Sequence, residues 1–253
     1  MIVFIKCIYI IIRFVHGMRK GQLNETLTQF VAQLFEAEQM DYAMAFLESE
    51  TASLPTVIED QVTQGVTELY LVPLLLFSAS HYYEDIADSL EGWRQLYPQT
   101  TFYLAQPLGT HPKMKNWVAS QIARYLDETV KDTAVVVLAH GSARFNEPDI
   151  ALETIANQLS TATRPCYPCM VYGKFNYEKI LAELAQQWPK LLIIPYFFYD
   201  GYLVQRTKQR IGALDLPCDV TFTTAINFHP VLKEVILNRL EACGGMTPCI
   251  LSS

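Results

Sequence analysis

One motif is written twice along this chain, and that repetition limits what the chain can fold into more than any other feature. The strand-like run that ends Val15-His16-Gly17 has a counterpart in Val135-Val136-Val137-Leu138-Ala139-His140-Gly141-Ser142. Leu71-Val72-Pro73-Leu74-Leu75-Leu76-Phe77 is echoed by Ile193-Ile194-Pro195-Tyr196-Phe197-Phe198-Tyr199. Pro107-Leu108-Gly109-Thr110-His111-Pro112 is echoed by Ala225-Ile226-Asn227-Phe228-His229-Pro230. Three echoes in the same order and at similar spacing argue for an internal duplication. The chain is expected to divide into homologous halves, 1–128 and 129–253, with the polar stretch Asp127-Glu128-Thr129-Val130-Lys131-Asp132 as linker. A chain of 253 residues is long enough for two domains of ordinary size.

Each half alternates strand and helix. Apolar, β-branched and aromatic runs predict strands near 8–15, 42–47, 68–74 and 101–105, and near 134–139, 167–172, 191–197 and 219–223. Spaced apolar positions such as Leu23, Leu27, Phe30, Val31 and Leu34 predict helices near 22–38, 54–64, 81–97 and 112–127. In the second half helices are predicted near 148–160, 176–187, 202–212 and 230–242, with Pro112 and Pro230 at matching first-turn positions. The strands are continuously apolar rather than alternating, which implies a sheet covered on both faces. The expected fold is therefore α/β, with four parallel strands flanked by helices in each half. The tail from Gly244 reads as irregular.

Composition narrows the partners. Hydrophobic residues make up 51% of the chain and charged residues 18%, enough apolar material for real cores. A net charge of −7 argues against a nucleic-acid partner and against a basic membrane-binding patch, although it leaves room for a small anionic ligand. Six cysteines without regular spacing do not form a disulfide framework, so a reducing cytoplasm is the expected location. Residues 1–16 are almost all apolar, but Lys6 and Arg13 interrupt the run and no small-residue cleavage site follows. A buried first strand with a few extra residues is expected there, rather than a signal or an anchor. No Gly-rich phosphate loop occurs, so nucleotide binding has no support.

The chemistry-bearing residues gather at strand ends of the first half. His16 and His81 each follow an apolar strand-like run, and Ala43-Met44-Ala45-Phe46-Leu47-Glu48 ends a third run on a carboxylate. In an open parallel sheet, ligands bind in the crevice outside the strands' C-terminal ends. Two imidazoles and a carboxylate converging there can hold a divalent metal, accept protons, or both. Glu50 is an alternative to Glu48, and both carboxylates could simply open the next helix. The second half has no histidine after its third strand, where the chain runs Asp200-Gly201-Tyr202-Leu203.

The duplicated His-Gly strand end, the run Val72-Pro73-Leu74-Leu75-Leu76-Phe77-Ser78-Ala79-Ser80-His81 and the segment Pro107-Leu108-Gly109-Thr110-His111-Pro112 resemble the class II chelatases. Within that group they are similar to the sirohydrochlorin ferrochelatases and cobaltochelatases, over about residues 8–242. The resemblance implies two flavodoxin-like domains facing across a cleft. It also implies insertion of Fe²⁺ into sirohydrochlorin to give sirohaem, or of Co²⁺ on the way to cobalamin. No permanently bound cofactor is implied, because the metal is a substrate. The family's two histidines fall on His16 and His81 and its acidic residue on Glu48, as both catalytic groups and metal ligands. The family often has Gly before the first histidine and Ser or Thr two places after it; here these positions are Val15 and Met18, and the more usual form stands at His140 to Arg144.

Metallation of a tetrapyrrole removes two N–H protons and strips solvent from a divalent cation. Neutral imidazole suits both tasks near pH 7, with a pKa of about 6.5 and a nitrogen that ligates Fe²⁺, Co²⁺ and Ni²⁺ alike. For the carboxylate rim of the macrocycle the candidates are Arg19, Ser78, Ser80, His140 and Arg144, with Arg13, Lys20, Lys174, Arg206 and Ser142 nearby in sequence. His140 is read as a remnant of the duplication that lines the cleft or touches substrate. His111 and His229, each before a proline in matching positions, are expected to serve the fold. Cys166-Tyr167-Pro168-Cys169 leads into a strand rather than opening a helix, which argues against a redox pair. The cluster Tyr196-Phe197-Phe198-Tyr199 reads as strand core, with Tyr199 a candidate to touch the macrocycle. A duplicated chain supplies both halves of a cleft, so a monomer suffices, while a dimer is also allowed.

Overall fold

The computed structural model describes residues 7–12, 28–33, 36, 42–46, 52–127 and 129–244. Two parallel four-stranded sheets with the same topology are built from these residues. In the first, β1 (Cys7–Ile12), β2 (Tyr42–Phe46), β3 (Glu68–Pro73) and β4 (Thr101–Leu104) lie in the order β2-β1-β3-β4. In the second, β5 (Thr133–Gly141), β6 (Cys166–Tyr172), β7 (Lys190–Tyr196) and β8 (Asp219–Phe222) lie in the order β6-β5-β7-β8. Each third strand pairs with the central strand of its sheet, Pro73 beside Ile11 in the first and Pro195 beside Leu138 in the second. The duplication read in the sequence is therefore a duplication of topology.

The central strands owe their place to composition. From Thr133 to Ala139 every residue of β5 is buried, so its two faces are both covered, as a continuously apolar strand requires. Cys169, Tyr177, Leu181 and Leu184 pack with Val136 and Leu138 on one side of this sheet. In the first sheet Ala45, Leu69 and Leu71 pack with Leu54, Ile58 and Ile86. Helix Leu54–Thr63 begins as its sequence predicts, with the Ser53 hydroxyl accepting the Thr56 N–H at 3.3 Å and Pro55 in the first turn. His111 and His229 cap two further helices through Nδ1, which accepts from Lys113 N at 3.2 Å and from Val231 N at 3.1 Å. Both histidines thus serve the fold, in equivalent places in the two repeats.

Two features depart from the sequence reading. The first is the division of the chain. Compact units form from Met1–Leu108 together with Leu232–Ser253, and from Gly109–Val231, rather than on either side of residue 128. The last helix of each repeat thus belongs to the other unit. In the first unit Arg239 donates to the Pro107 carbonyl at 2.9 Å. In the second, the rings of Trp117 and Tyr196 stand 6.4 Å apart, and the Tyr196 hydroxyl donates to the Gly109 carbonyl at 2.6 Å. Amphipathic periodicity specifies that a helix must cover a sheet but not which one, so two equivalent sheets can exchange their last helices. Tyr196 is fully buried. Tyr196→Phe should therefore leave the Gly109 carbonyl short of a donor and lower unfolding stability by about 1–3 kcal/mol, read as a reduced urea midpoint.

The second departure concerns the helix expected at 81–97. It opens as one α-turn at Ser80–Tyr82, widens into a π-helical turn at Tyr83–Ala87, and resumes as α-helix over Asp88–Leu96. Buried Tyr82, Ile86 and Leu90 recur every fourth residue.

Candidate functional site

His81 stands at the mouth of the first sheet. All of β3 after Glu68 is buried, and the chain leaves its C-terminal end through Ser78 and Ala79 into the short helical turn that carries His81. This is the end of a parallel sheet at which ligands are bound. The imidazole is partly open to solvent, with 28% of its side chain exposed, and its Nδ1 lies 2.6 Å from Asp85 Oδ2. On its other side Nε2 is 3.5 Å from the Ser80 hydroxyl. Ser78 is half-buried in the same loop.

His16, Glu48 and Arg19 lie outside the described residues, as do Arg13, Lys20 and Glu50. Among the described residues no three His, Cys, Asp or Glu side chains gather where they could hold a metal ion. One member of the anticipated triad, His81, is therefore in view. Asp85 is a partner that the sequence reading did not identify. Its signal was the spacing His81-x-x-x-Asp85 at the start of a helix, where residues four apart share a face.

The equivalent edge of the second sheet is built differently. His140 Nδ1 lies 2.7 Å from the Gly141 carbonyl, to which it donates, and its ring stands 5.1 Å from that of Tyr172. The Nε2 of His140 is buried. The Ser142 hydroxyl accepts from the N–H groups of Arg144 and Phe145, each at 3.2 Å, and so shapes the loop after β5. Arg144 is exposed and its guanidinium lies 5.5 Å above the Phe145 ring. Lys174 and Arg206 are exposed as well, with the Lys174 ammonium 4.7 Å from the Phe175 ring centre. Tyr199 stacks on Phe228, with ring centres 5.8 Å apart.

Where the first half has Ser78, the second has Asp200, and this carboxylate is committed to the loop. It accepts from Lys208 Nζ at 3.0 Å, Asn227 Nδ2 at 2.9 Å and Ala225 N at 3.1 Å. Burial pushes its pKa up, but these donors outweigh burial and hold the carboxyl below the ordinary carboxylate range. A depressed carboxyl contributes stability that is present above the unfolded pKa of about 3.9 and lost as pH falls through the folded value. Asp200→Ala should lower unfolding stability by about 1–3 kcal/mol at neutral pH, and the difference from wild type should shrink as acid protonates Asp200. Denaturant melts at neutral and acid pH test both parts.

Cys166 and Cys169 are buried within β6 and reduced. Burial pushes the Cys166 thiol up to about 12 and raises that of Cys169, so neither supplies a thiolate near neutral pH. No helix among the described residues is long and apolar enough to cross a membrane.

The family model CbiX matches residues 10–125 and 134–243, one segment over each repeat. The sirohydrochlorin ferrochelatase of Bacillus subtilis is 26% identical over 205 residues, covering 78% of this chain and 77% of its own. The sirohydrochlorin cobaltochelatase of Priestia megaterium is 24% identical over 218 residues, covering 78% of this chain and 67% of its own. Among solved structures, SirB from Bacillus subtilis with Fe³⁺ aligns at a TM-score of 0.78 and 23% identity, over 94% of this chain and 95% of that one. CbiX, the terminal enzyme for biosynthesis of sirohaem in denitrifying bacteria, aligns at 0.64 and 17%, over 94% and 98% of the two chains. The likeness in structure establishes a shared duplicated α/β fold.

Proposed function

The chain belongs to the CbiX family, and from that membership we propose that it inserts a divalent metal into sirohydrochlorin. The observation that carries the reading is His81, a solvent-reachable imidazole at the C-terminal edge of one sheet, where the duplicate sheet has Leu203. In this reading His16, Glu48 and His81 hold the incoming metal, and the imidazoles take the two protons that leave the macrocycle's pyrrole nitrogens. Glu48 offsets the charge of the cation. Arg19, Ser78, Ser80, His140 and Arg144 bind the macrocycle's carboxylates and fix its orientation. The metal reaches the site as a substrate and leaves in the product, so weak, open coordination serves turnover better than a closed cage. The protein works in the cytoplasm and keeps no metal of its own.

Fe²⁺ is the proposed metal, which gives sirohaem as product. The relative from Priestia megaterium, a cobaltochelatase, supports Co²⁺ as the alternative. Imidazole and carboxylate ligands accept either ion, so the donor set does not decide. The experiment is an anaerobic comparison of kcat/KM for Fe²⁺, Co²⁺ and Ni²⁺ at matched free concentrations, followed by macrocycle absorbance. A higher value for Fe²⁺ is expected, and a higher value for Co²⁺ would move the protein to cobalamin synthesis.

Glu48→Gln tests the carboxylate. The change keeps the shape and removes the charge that favours a divalent cation, so the KM for metal should rise while binding of the metal-free macrocycle holds or tightens. An unaltered metal KM would remove Glu48 from the site.

A further inference from the structure

We propose that Asp85 is the positioning residue for His81. It accepts the Nδ1 proton and leaves Nε2 as the nitrogen that meets the metal or takes the macrocycle's proton. The inference rests on the proposed reading of His81 as a reacting group. Three observations support it. The contact between Nδ1 and Asp85 Oδ2, at 2.6 Å, is short enough for a charge-assisted hydrogen bond. It joins two side chains that are both open to solvent, 28% and 45% exposed, so burial does not force the pair together. The second copy of the repeat supplies an internal control. Aligning Pro73 with Pro195 sets His81 against Leu203 and Asp85 against Thr207, so the duplicate lacks both members of the pair.

The helix itself differs in the same way. In the second half Tyr202–Gly212 is one continuous α-helix, and the Thr207 hydroxyl turns back to the Leu203 carbonyl at 2.8 Å. In the first half Asp85 sits inside the π-helical turn Tyr83–Ala87. Single π-turns inside α-helices are frequent at functional sites. Here the irregularity coincides with the acid–imidazole pair and is missing from the copy that lacks the pair.

A carboxylate on one imidazole nitrogen fixes the tautomer and ring orientation and raises the basicity of the other nitrogen. Ser80 lies on the Nε2 side, where its hydroxyl can hold the free imidazole until substrate arrives.

The test uses full-length protein and the variants Asp85→Ala and Asp85→Glu. With ¹⁵N-labelled histidine, the wild type should show His81 as the Nδ1–H tautomer above the imidazole pKa, the signal being assigned by its loss in His81→Gln. Asp85→Ala should shift His81 toward the Nε2–H form and lower kcat about 10–100-fold, with the KM for sirohydrochlorin little changed. Asp85→Glu should restore part of both. If Asp85→Ala fails to fold, Asp85→Asn, nearly the same shape without the charge, takes its place and should lose most of the same kcat. Wild-type tautomer and wild-type kcat in a folded Ala or Asn variant would overturn the proposal. Failure of the wild type to speed metal insertion would instead sink the reading of the reaction, while the tautomer spectrum would still decide the pair.

Discussion

His81→Ala should slow metal insertion into sirohydrochlorin by about 10²–10⁴-fold, the usual loss when a positioned base is removed. His140→Ala should cost less than tenfold. The two histidines occupy the C-terminal edges of equivalent sheets but differ in what their nitrogens can do. His81 is reachable from solvent and turns Nδ1 to a carboxylate. His140 turns Nδ1 to the adjacent Gly141 carbonyl, and its Nε2 is buried. A neutral carbonyl orients an imidazole without adding the negative charge that makes it a better base or ligand. At saturating metal the loss in His81→Ala should still appear in kcat, since a base acts in the transition state. Steady-state rates for both variants, at saturating metal and macrocycle, are the check. Equal or larger loss from His140→Ala would place the chemistry in the second half.

Gly141→Ala should be the most damaging single substitution for stability, costing at least about 3 kcal/mol. Gly141 ends β5 with φ of +71°, a region that side chains with a Cβ rarely enter. A methyl group there would run into the Tyr172 carbonyl oxygen and lie 2.7 Å from Met170 Sδ and 2.9 Å from Met170 Cβ. The sulfur could shift, but the carbonyl belongs to the neighbouring strand, which pairs Gly141 with Tyr172. Relief would therefore have to separate β5 from β6 at the end where His140 sits. A large fall in the urea midpoint is expected, and a change below about 1 kcal/mol would show that the strand ends separate easily.

The two prolines at the ends of β3 and β7 illustrate what was legible in the sequence. Each stands within a continuously apolar run, and each pairs onto the central strand of its sheet. Strand positions, their burial on both faces and the repeated topology follow from such patterns, because burial of apolar runs is local information. Ownership of the last helices is not local. Nothing in the periodicity of Pro112–Tyr125 or Val231–Ala242 says which of two equivalent sheets each will cover, and the boundary expected at residue 128 follows the repeat rather than the packing. The π-helical turn was hidden for another reason, since Tyr82, Ile86 and Leu90 also satisfy an ordinary helical pattern. For the site, His81 was legible because it follows a long strand signal, and Asp85 was visible only as one acidic residue among Glu84, Asp85 and Asp88. Spacing ranks such residues poorly, and a distance of 2.6 Å separates Asp85 from the others.

This chain is proposed to speed the entry of a metal into sirohydrochlorin through its N-terminal half. The most direct measurement is the initial rate of macrocycle metallation with Fe²⁺ under anaerobic conditions, taken with wild type, with His81→Ala and without protein. A rate with wild type far above the protein-free control is expected, falling back toward that control with His81→Ala. A wild-type rate no faster than the control would contradict it and leave a protein that binds metal or tetrapyrrole without catalysing their union.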